Sequence, residues 1–258
     1  MIKAALFDLD GTLYLGKVPI GGAAEALEKL RSMGIEPFYL TNAATRSREN
    51  VALKLASLGF KAKTDEVYCG SYLLARYIAK NYPGKKAYVV GEKGMFEEFA
   101  AAAVPLAVGE EAELVAVGLD RSFTYEKLCK AHLAIAKGAA FLASNTDRTF
   151  PTEIGVLPGA GAIVHAIEFS SGKKPYVVGK PNPYAMELIL KEHKLKKEEV
   201  LVVGDRLETD ILFAKNCGVK SALVLTGAAK KDEIKKQGIV PDYVLDSVAD
   251  LPKALAKS

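Results

Sequence analysis

Residues 4–12 read AALFDLDGT, a short apolar run followed at once by two acids and a glycine. An apolar run of this length, bounded by turn residues, is typical of a buried strand, so we expect a strand that ends at Asp8. Asp8, Asp10 and Gly11 then lie in the turn that follows it. An ordinary Asp/Gly turn has the same composition, but the apolar residues on both sides favour a functional turn that presents carboxylates from a rigid element.

The rest of the chain repeats this order of an apolar strand, a polar turn and a helix. We predict further strands at 37–40, 176–178, 200–203 and 222–225, and apolar residues at helical spacing lie between such strands. Polar residues follow these strands, directly or after a single glycine. Alternating strands and helices are typical of a parallel sheet that helices cover on both faces. The sequence therefore predicts an α/β fold, with a doubly wound parallel sheet in a Rossmann-like core.

The segment between Thr41 and Lys180 is too long for a single connection in such a sheet. A βαβ unit needs only about 30 residues, and this segment has its own alternation of predicted strands at 87–90 and 114–117 with predicted helices at 95–103 and 125–137. We therefore expect an inserted α/β domain at residues 73–174 and a core domain formed by residues 1–72 and 175–258.

Composition excludes several classes of function. The chain has 258 residues, with 35 basic and 31 acidic side chains, and a net charge of +4 is too small to indicate nucleic-acid binding. Since no apolar run approaches the length of about 18 residues typical of a membrane span, we expect no membrane association. The three cysteines are scattered and lack metal-site spacing, so we expect free thiols and a cytoplasmic protein.

Polar residues follow each of the predicted core strands. Thr41 and Asn42 follow the second strand, Lys180 follows the third, and Asp205 follows the fourth. Taken singly, each has an ordinary interpretation: a helix cap or turn for Thr41 and Asn42, and a surface charge for Lys180. Their coincidence at strand ends is more informative, because ligands of open α/β sheets bind at the carboxyl edge of the strands.

Acidic residues dominate this predicted edge. Asp8, Asp10, Asp205 and Asp210 bring four carboxylates to it, although Asp210 alone could simply complement a helix dipole. Without a cation these carboxylates would repel one another and raise one another's pKa values. A cluster of oxygen ligands suits Mg²⁺, which often bridges protein carboxylates and a substrate phosphate.

At this point the chain resembles the haloacid dehalogenase superfamily. The motifs that carry the resemblance are DLDGT (8–12), TNAATRS (41–47), SNTDRTFP (144–151), GKPNP (179–183) and GDRLETDI (204–211). Together they look like the NagD-like, 4-nitrophenylphosphatase branch, and the similarity runs along nearly the whole chain. This branch carries a large α/β cap domain, which agrees with the predicted insertion.

The resemblance implies that Asp8 is the nucleophile and forms an aspartyl-phosphate. It implies that Asp10 is the acid and base, which protonates the leaving alcohol and then activates water. The dehalogenase members of the superfamily lack this second acid, and a leaving alkoxide needs a proton whereas a halide does not. Asp10 therefore favours phosphate esters as substrates.

The resemblance also implies ligands for the phosphoryl group and for magnesium. The expected phosphoryl ligands are Gly11, Thr41, Asn42 and Lys180. The expected magnesium ligands are Asp8, the backbone carbonyl of Asp10, Asp205 and Asp210, the last either directly or through water.

The predicted cap contributes weaker candidates. Asn145 and Asp147 lie near its expected hinge, where the family keeps a similar pattern, and they are candidates for substrate binding; a structural turn is the alternative. Gly159 and Gly161 precede an apolar helix without a full dinucleotide-binding pattern, so tight helix packing is expected there. Ala43 stands where many family members have an Asn. We expect this difference to alter the rim of the site and to leave its catalytic chemistry unchanged.

The predicted function is a Mg²⁺-dependent phosphatase that acts through an aspartyl-phosphate. Its expected partner is a small phosphorylated metabolite of the sugar phosphate, glycerol phosphate, phosphoglycolate or nucleotide type. A phosphotransferase or phosphomutase with the same intermediate is one alternative, and a phosphoacceptor signalling module is another. The resemblance leaves both a monomer and a cap-mediated homodimer open.

Overall fold

The structure, a computed structural model, describes residues 1–152 and 155–256. In chain order, the strands are β1 (Ala4–Phe7), β2 (Tyr14–Leu15), β3 (Val18–Pro19), β4 (Glu36–Thr41), β5 (Val67–Cys69), β6 (Ala87–Val90), β7 (Leu114–Val117), β8 (Ala140–Ala143), β9 (Thr149–Thr152), β10 (Gly155–Pro158), β11 (Tyr176–Val177), β12 (Val200–Gly204), β13 (Lys220–Val224) and β14 (Tyr243–Leu245).

The helices follow the same alternation. They are α1 (Ala23–Ser32), α2 (Arg48–Ser57), α3 (Gly70–Asn81), α4 (Lys93–Ala101), α5 (Tyr125–Ala136), α6 (Ala160–Ser171), α7 (Tyr184–Glu192), α8 (Leu212–Cys217), α9 (Lys231–Gln237) and α10 (Leu251–Leu255), with short helical turns at Thr64–Glu66, Lys197–Glu199, Leu207–Ile211 and Val248–Asp250. No helix in the described part of the chain is long and apolar enough to cross a membrane.

The larger sheet is organised around β1. Its strand order among the described residues is β14-β13-β12-β1-β4-β5, and β1 pairs in parallel with both β12 and β4. All four side chains of β1 are fully buried, as expected for a strand with neighbours on both sides and helices over both faces. Since Phe7 lies opposite Val203 and Tyr39 in the two ladders, the residues that follow these strands emerge at one edge.

A second parallel sheet lies in the middle of the chain, with the order β11-β8-β7-β6. Its core is a cluster of buried aliphatic and aromatic side chains, to which the sheet contributes Val117 and Phe141 and helix α6 contributes Val164 and Ile167. Strands and helices alternate in this sheet as they do in the larger one, so the α/β class is confirmed.

Contacts divide the chain into two units. Unit 1 comprises residues 1–41, 52–67 and the chain from 180 onward, and unit 2 comprises residues 42–51 and 68–179. Unit 2 thus extends beyond the predicted segment 73–174 on both sides.

Long-range packing accounts for this extension. The Arg48 backbone N–H donates to Glu98 Oε1 at 2.6 Å, and Gly94 lies so close to the Arg46 backbone that a Cβ on Gly94 would overlap it. At the other end, Tyr176 and Val177 form β11 and pair with β8. These contacts tie residues 42–51 and 175–179 to the inserted sheet, and no local pattern in the sequence signals them.

Candidate active site

The side chain of Lys180 is the centre of the predicted edge of unit 1. Its ammonium donates to Asp8 Oδ1 at 2.6 Å, to Asp210 Oδ1 at 2.6 Å and to the Leu40 carbonyl at 3.0 Å. Three acceptors match the three N–H bonds of an ammonium. Lys180 is 4% exposed, so the structure places it as a buried, fully bonded cation and contradicts the alternative of a surface charge.

The two acids that bond to this cation belong to a group of three carboxylates. One oxygen each of Asp8, Asp205 and Asp210 lies within 4.8 Å of the other two. The predicted group of four is therefore a group of three, since the Asp10 carboxylate lies outside it. Asp205 and Asp210 are 2% and 1% exposed, so these charges are almost wholly removed from water.

Burial dominates the electrostatics of this cluster. Loss of solvation raises the pKa of Asp8 well above its usual range, Lys180 opposes that shift, and Asp210 and Asp205 add to it. Burial and the nearby Asp210 raise the pKa of Asp205 to about 6. Burial by itself lowers the pKa of Lys180, but the attraction of Asp210 and Asp8 is larger and leaves that pKa raised. The lysine is therefore charged.

The turn that carries Asp10 is held by its own backbone. The Gly11 N–H donates to the Tyr14 carbonyl at 2.8 Å, and the Leu13 N–H donates to the Leu9 carbonyl at 2.8 Å. Gly11 has a φ of +92°, and a Cβ there would overlap the Asp205 carboxylate. Glycine is thus required at this position for its backbone conformation and for the close approach of the acid.

Asp10 itself is half-buried, and its Oδ1 is buried without a hydrogen-bond partner among the described residues. Burial raises its pKa, while the nearby charges of Lys54 and Arg206 oppose the shift. Lys54 was not predicted as a site residue. Its ammonium lies 3.9 Å from the centre of the Tyr14 ring, which brings a cation close to the turn.

The remaining predicted residues lie at the end of β4 and in unit 2. Thr41 ends β4 and is half-buried. In unit 2, Asn42 Nδ2 donates to Asp147 Oδ1 at 3.1 Å, Asn145 Nδ2 donates to the Asn42 carbonyl at 2.7 Å, and the Asp147 N–H donates to Asn145 Oδ1 at 3.0 Å. Asn42 and Asn145 are almost fully buried. The structure therefore joins Asn42 to two residues more than 100 positions away in one network.

Glycines shape the surroundings of this network. A Cβ on Gly159 would overlap the Asp147 carbonyl, and a Cβ on Gly161 would come within 2.5 Å of the Thr146 carbonyl oxygen. The start of α6 therefore packs directly on the backbone of the Asn-x-Asp segment. The two glycines therefore allow tight helix packing, as the sequence predicts, and the helix packs against the backbone of Thr146 and Asp147.

The sequence reasoning missed one loop of the site. The loop Thr226–Ala229 follows β13, and the Ala228 N–H donates to Asp205 Oδ2 at 2.7 Å. Thr226 Oγ1 donates to the Gly11 carbonyl at 2.6 Å. One signal in the sequence could have found this loop. The apolar run that predicts a strand at 222–225 ends directly before Thr226, and polar site residues also follow the other predicted strands.

Comparisons with known proteins identify a family for this chain. A family model described as haloacid dehalogenase-like hydrolase matches residues 5–104, and a second model for such hydrolases matches residues 177–251. An acid sugar phosphatase of Staphylococcus saprophyticus is 38% identical over 255 residues, which cover 99% of this chain and 98% of the relative.

Two solved structures are similar over almost the whole chain. The 4-nitrophenylphosphatase of Thermotoga maritima is 32% identical with a TM-score of 0.93, over 98% of this chain and 97% of that one. A glycerol phosphate phosphatase of Mycobacterium tuberculosis, solved in complex with magnesium, is 34% identical with a TM-score of 0.90, over 97% of this chain and 76% of that one.

Proposed function

This chain belongs to the haloacid dehalogenase-like hydrolases, in their NagD-like branch of phosphoric monoester hydrolases, and we propose that it hydrolyses small phosphomonoesters through an aspartyl-phosphate on Asp8. One observation carries the proposal. Asp8 follows the central strand β1, and its Oδ1 accepts a 2.6 Å hydrogen bond from a buried lysine within a cluster of three acids. A carboxylate fixed in this way is suited to attack phosphorus.

The chain's own residues account for the proton and charge movements of the two steps. In the first step an Asp8 oxygen bonds to phosphorus while the bond to the leaving oxygen breaks. Asp10, two residues further along the same turn, gives its proton to that oxygen. In the second step Asp10 takes a proton from water, the water oxygen bonds to phosphorus, and the bond to Asp8 breaks, which releases inorganic phosphate. Lys180 stays charged throughout and stabilises the negative charge that Asp8 and the phosphoryl oxygens share.

The donor set fits magnesium. Its ligands are all oxygens, the three carboxylates meet within 4.8 Å, and Asp205 Oδ1 is buried without a hydrogen-bond partner among the described residues. We propose Asp8, the Asp10 carbonyl and Asp205 as ligands. We assign Asp210 to a contact through water, because its two oxygens already accept hydrogen bonds from Lys180 and from the Arg206 N–H. Bound magnesium supplies positive charge that stabilises the phosphoryl oxygens in the transition state.

The relatives narrow the class of substrate. Those described above are named for sugar phosphates, 4-nitrophenyl phosphate and glycerol phosphate. Their names support a small phosphorylated metabolite as the partner of this chain. We propose that Thr41 and Gly11 contact the phosphoryl group. We also propose that Asn42, Asn145 and Asp147 serve substrate binding together, because their hydrogen bonds make the position of each depend on the others.

Two further properties complete the proposal. The three cysteines are free thiols, which supports a cytoplasmic location, where thiols are kept reduced. A homodimer formed through the cap stays a prediction.

The first experiment measures phosphate release from 4-nitrophenyl phosphate with Mg²⁺ by the wild type and by Asp8→Asn. Asp246→Asn is the matched control, because it makes the same change at an exposed acid of unit 1. Activity that is lost in Asp8→Asn and retained in the control is expected. Equal activity in all three proteins would remove Asp8 as the nucleophile.

The same assay separates the alternatives. A hydrolase releases phosphate and 4-nitrophenol in equal amounts, and added alcohols or sugars do not change that ratio. A phosphotransferase would release less phosphate than nitrophenol when an acceptor is present. A signalling module would accumulate phosphate on Asp8 without turnover.

A further inference from the structure

The loop after β13 holds Asp205 at two points. The Ala228 N–H donates to Asp205 Oδ2 at 2.7 Å, and the Ala229 N–H donates to the Asp205 backbone carbonyl at 3.0 Å. The bond from Ala228 occupies Oδ2 and leaves Oδ1, which is buried and has no hydrogen-bond partner in residues 1–152 and 155–256. The hydrogen bond from the loop therefore leaves Oδ1 as the Asp205 oxygen that is available to a ligand.

Two glycines let the backbone come this close to the acid. A Cβ on Gly227 would overlap the Asp205 carboxylate, and so would a Cβ on Gly11. The carboxylate is thus contacted by two backbone segments that are far apart in sequence. Its orientation depends on how those two segments are held relative to each other.

Thr226 joins the two segments. Its Oγ1 donates to the Gly11 carbonyl at 2.6 Å, a bond that spans 215 positions of sequence. Thr226 lies directly before Gly227, and Gly11 lies directly after Asp10. One hydroxyl therefore connects the loop that holds Asp205 to the turn that carries Asp10.

We infer that Thr226 is a positioning residue for the divalent cation: its hydroxyl keeps the Gly11 turn and the loop Thr226–Ala229 in register, so that Asp205 Oδ1 faces the cation. Thr226 acts through Asp205 and touches neither substrate nor the reacting atoms. The inference rests on the proposed function, because it needs a cation at the acidic cluster. Residues that orient metal ligands typically change metal affinity by about 10- to 100-fold when they are replaced.

The test measures Mg²⁺ binding by titration calorimetry, with no substrate present. Thr226→Val keeps the shape of the side chain and removes the hydroxyl, whereas Thr226→Ser keeps the hydroxyl. We expect the valine variant to bind Mg²⁺ about tenfold more weakly than the wild type, and the serine variant to bind within about twofold of it. Thr124→Val is the control, because Thr124 caps α5 in unit 2 and its loss leaves Mg²⁺ affinity unchanged.

A purely structural role gives a different result. In that case Thr226→Val melts at a lower temperature than the wild type in chelator, as Thr124→Val does, but its Mg²⁺ affinity equals that of the wild type. This outcome overturns the inference. Gly227→Ala provides a second measurement, because its added methyl group displaces the Asp205 carboxylate and should weaken Mg²⁺ binding. An unchanged Mg²⁺ affinity of this variant would also count against the inference. Absence of Mg²⁺ binding in the wild type would refute the proposed metal site instead, so the two failures are distinguishable.

Discussion

Replacement of Lys180 by Met tests whether one buried cation balances the acidic cluster. Methionine is similar in length to lysine but carries no charge and donates no hydrogen bond. The variant leaves Asp8 Oδ1, Asp210 Oδ1 and the Leu40 carbonyl without their common donor. It also leaves three carboxylates within 4.8 Å without the cation that lies between two of them.

The expected loss follows from this geometry. Removing one partner of a buried ion pair costs about 3–5 kcal/mol, because the other charge stays buried and uncompensated. For a chain of this size, that lowers the melting temperature by about 6–20 °C. The measurement is thermal unfolding at pH 7 in chelator, so that no divalent cation replaces the lysine. Lys215→Met, at an exposed position of α8, is the control and should melt within about 1 °C of the wild type.

A second substitution separates lost charge balance from lost packing. Asp210→Asn removes one carboxylate from the cluster, so the double variant with Lys180→Met contains less uncompensated charge than Lys180→Met alone. We expect the double variant to melt at a higher temperature than the single one. If Lys180→Met melts within about 1 °C of the wild type, or if the two losses simply add, the electrostatic reasoning is wrong.

Three other predictions follow from separate parts of the chain. Asp10→Asn should lower kcat for glycerol phosphate by about 10²- to 10⁴-fold, and a loss below tenfold would contradict its role as the acid. Burial raises the pKa of Glu98 above its usual 4.5, so the folded state binds the Glu98 proton more tightly than the unfolded state does. Stability of the wild type should therefore fall as pH rises from 4.5 through that raised pKa. Glu98→Gln lacks this loss, so its melting temperature should rise relative to that of the wild type over the same interval. Burial raises the pKa of Cys69 to about 11 and that of Cys217 to about 12. A thiol reagent at pH 8 should therefore label only the half-exposed Cys129 in the folded protein. Fast labelling of a second cysteine would contradict the burial of Cys69 and Cys217.

The bounds of strands that are buried on both faces of a sheet could be predicted from the sequence almost to the residue. The apolar runs at 4–7, 87–90 and 114–117 coincide with β1, β6 and β7. In a parallel sheet covered on both faces the whole strand must be apolar, so its bounds are set by composition alone. The same rule located the end of β12, and with it Asp205. It does not explain Lys180, which follows the half-exposed β11 of the second sheet.

Elements fixed by distant contacts could not be predicted in this way. Helix α3 begins at Gly70 without a side-chain cap, and its start is set by packing, because a Cβ on Gly70 would overlap the Asn42 carbonyl. The hairpin of β2 and β3 has two residues in each strand, too few for an alternating pattern. Thr226 belongs to the same class: a threonine and a glycine after a strand are typical of any turn, and only the fold brings them to Asp205.

The need for a cation follows from how the fold places charge. The cluster sets the buried Asp205 and Asp210 and the partly buried Asp8 against one lysine. Asp8 and Asp205 follow strands that are fixed by their ladders, and Asp210 lies in the helical turn after β12. The chain cannot relieve the repulsion by moving the acids apart without breaking the pairing of β1 with β12, where every side chain is buried. Only two responses remain, the uptake of protons or the binding of a cation. The raised pKa values of Asp8 and Asp205 correspond to the first response, and the Mg²⁺ that we propose for this site corresponds to the second. Mg²⁺ binding should therefore release protons near pH 6 and strengthen as pH rises to 7, and a pH-independent affinity over that range would contradict this account.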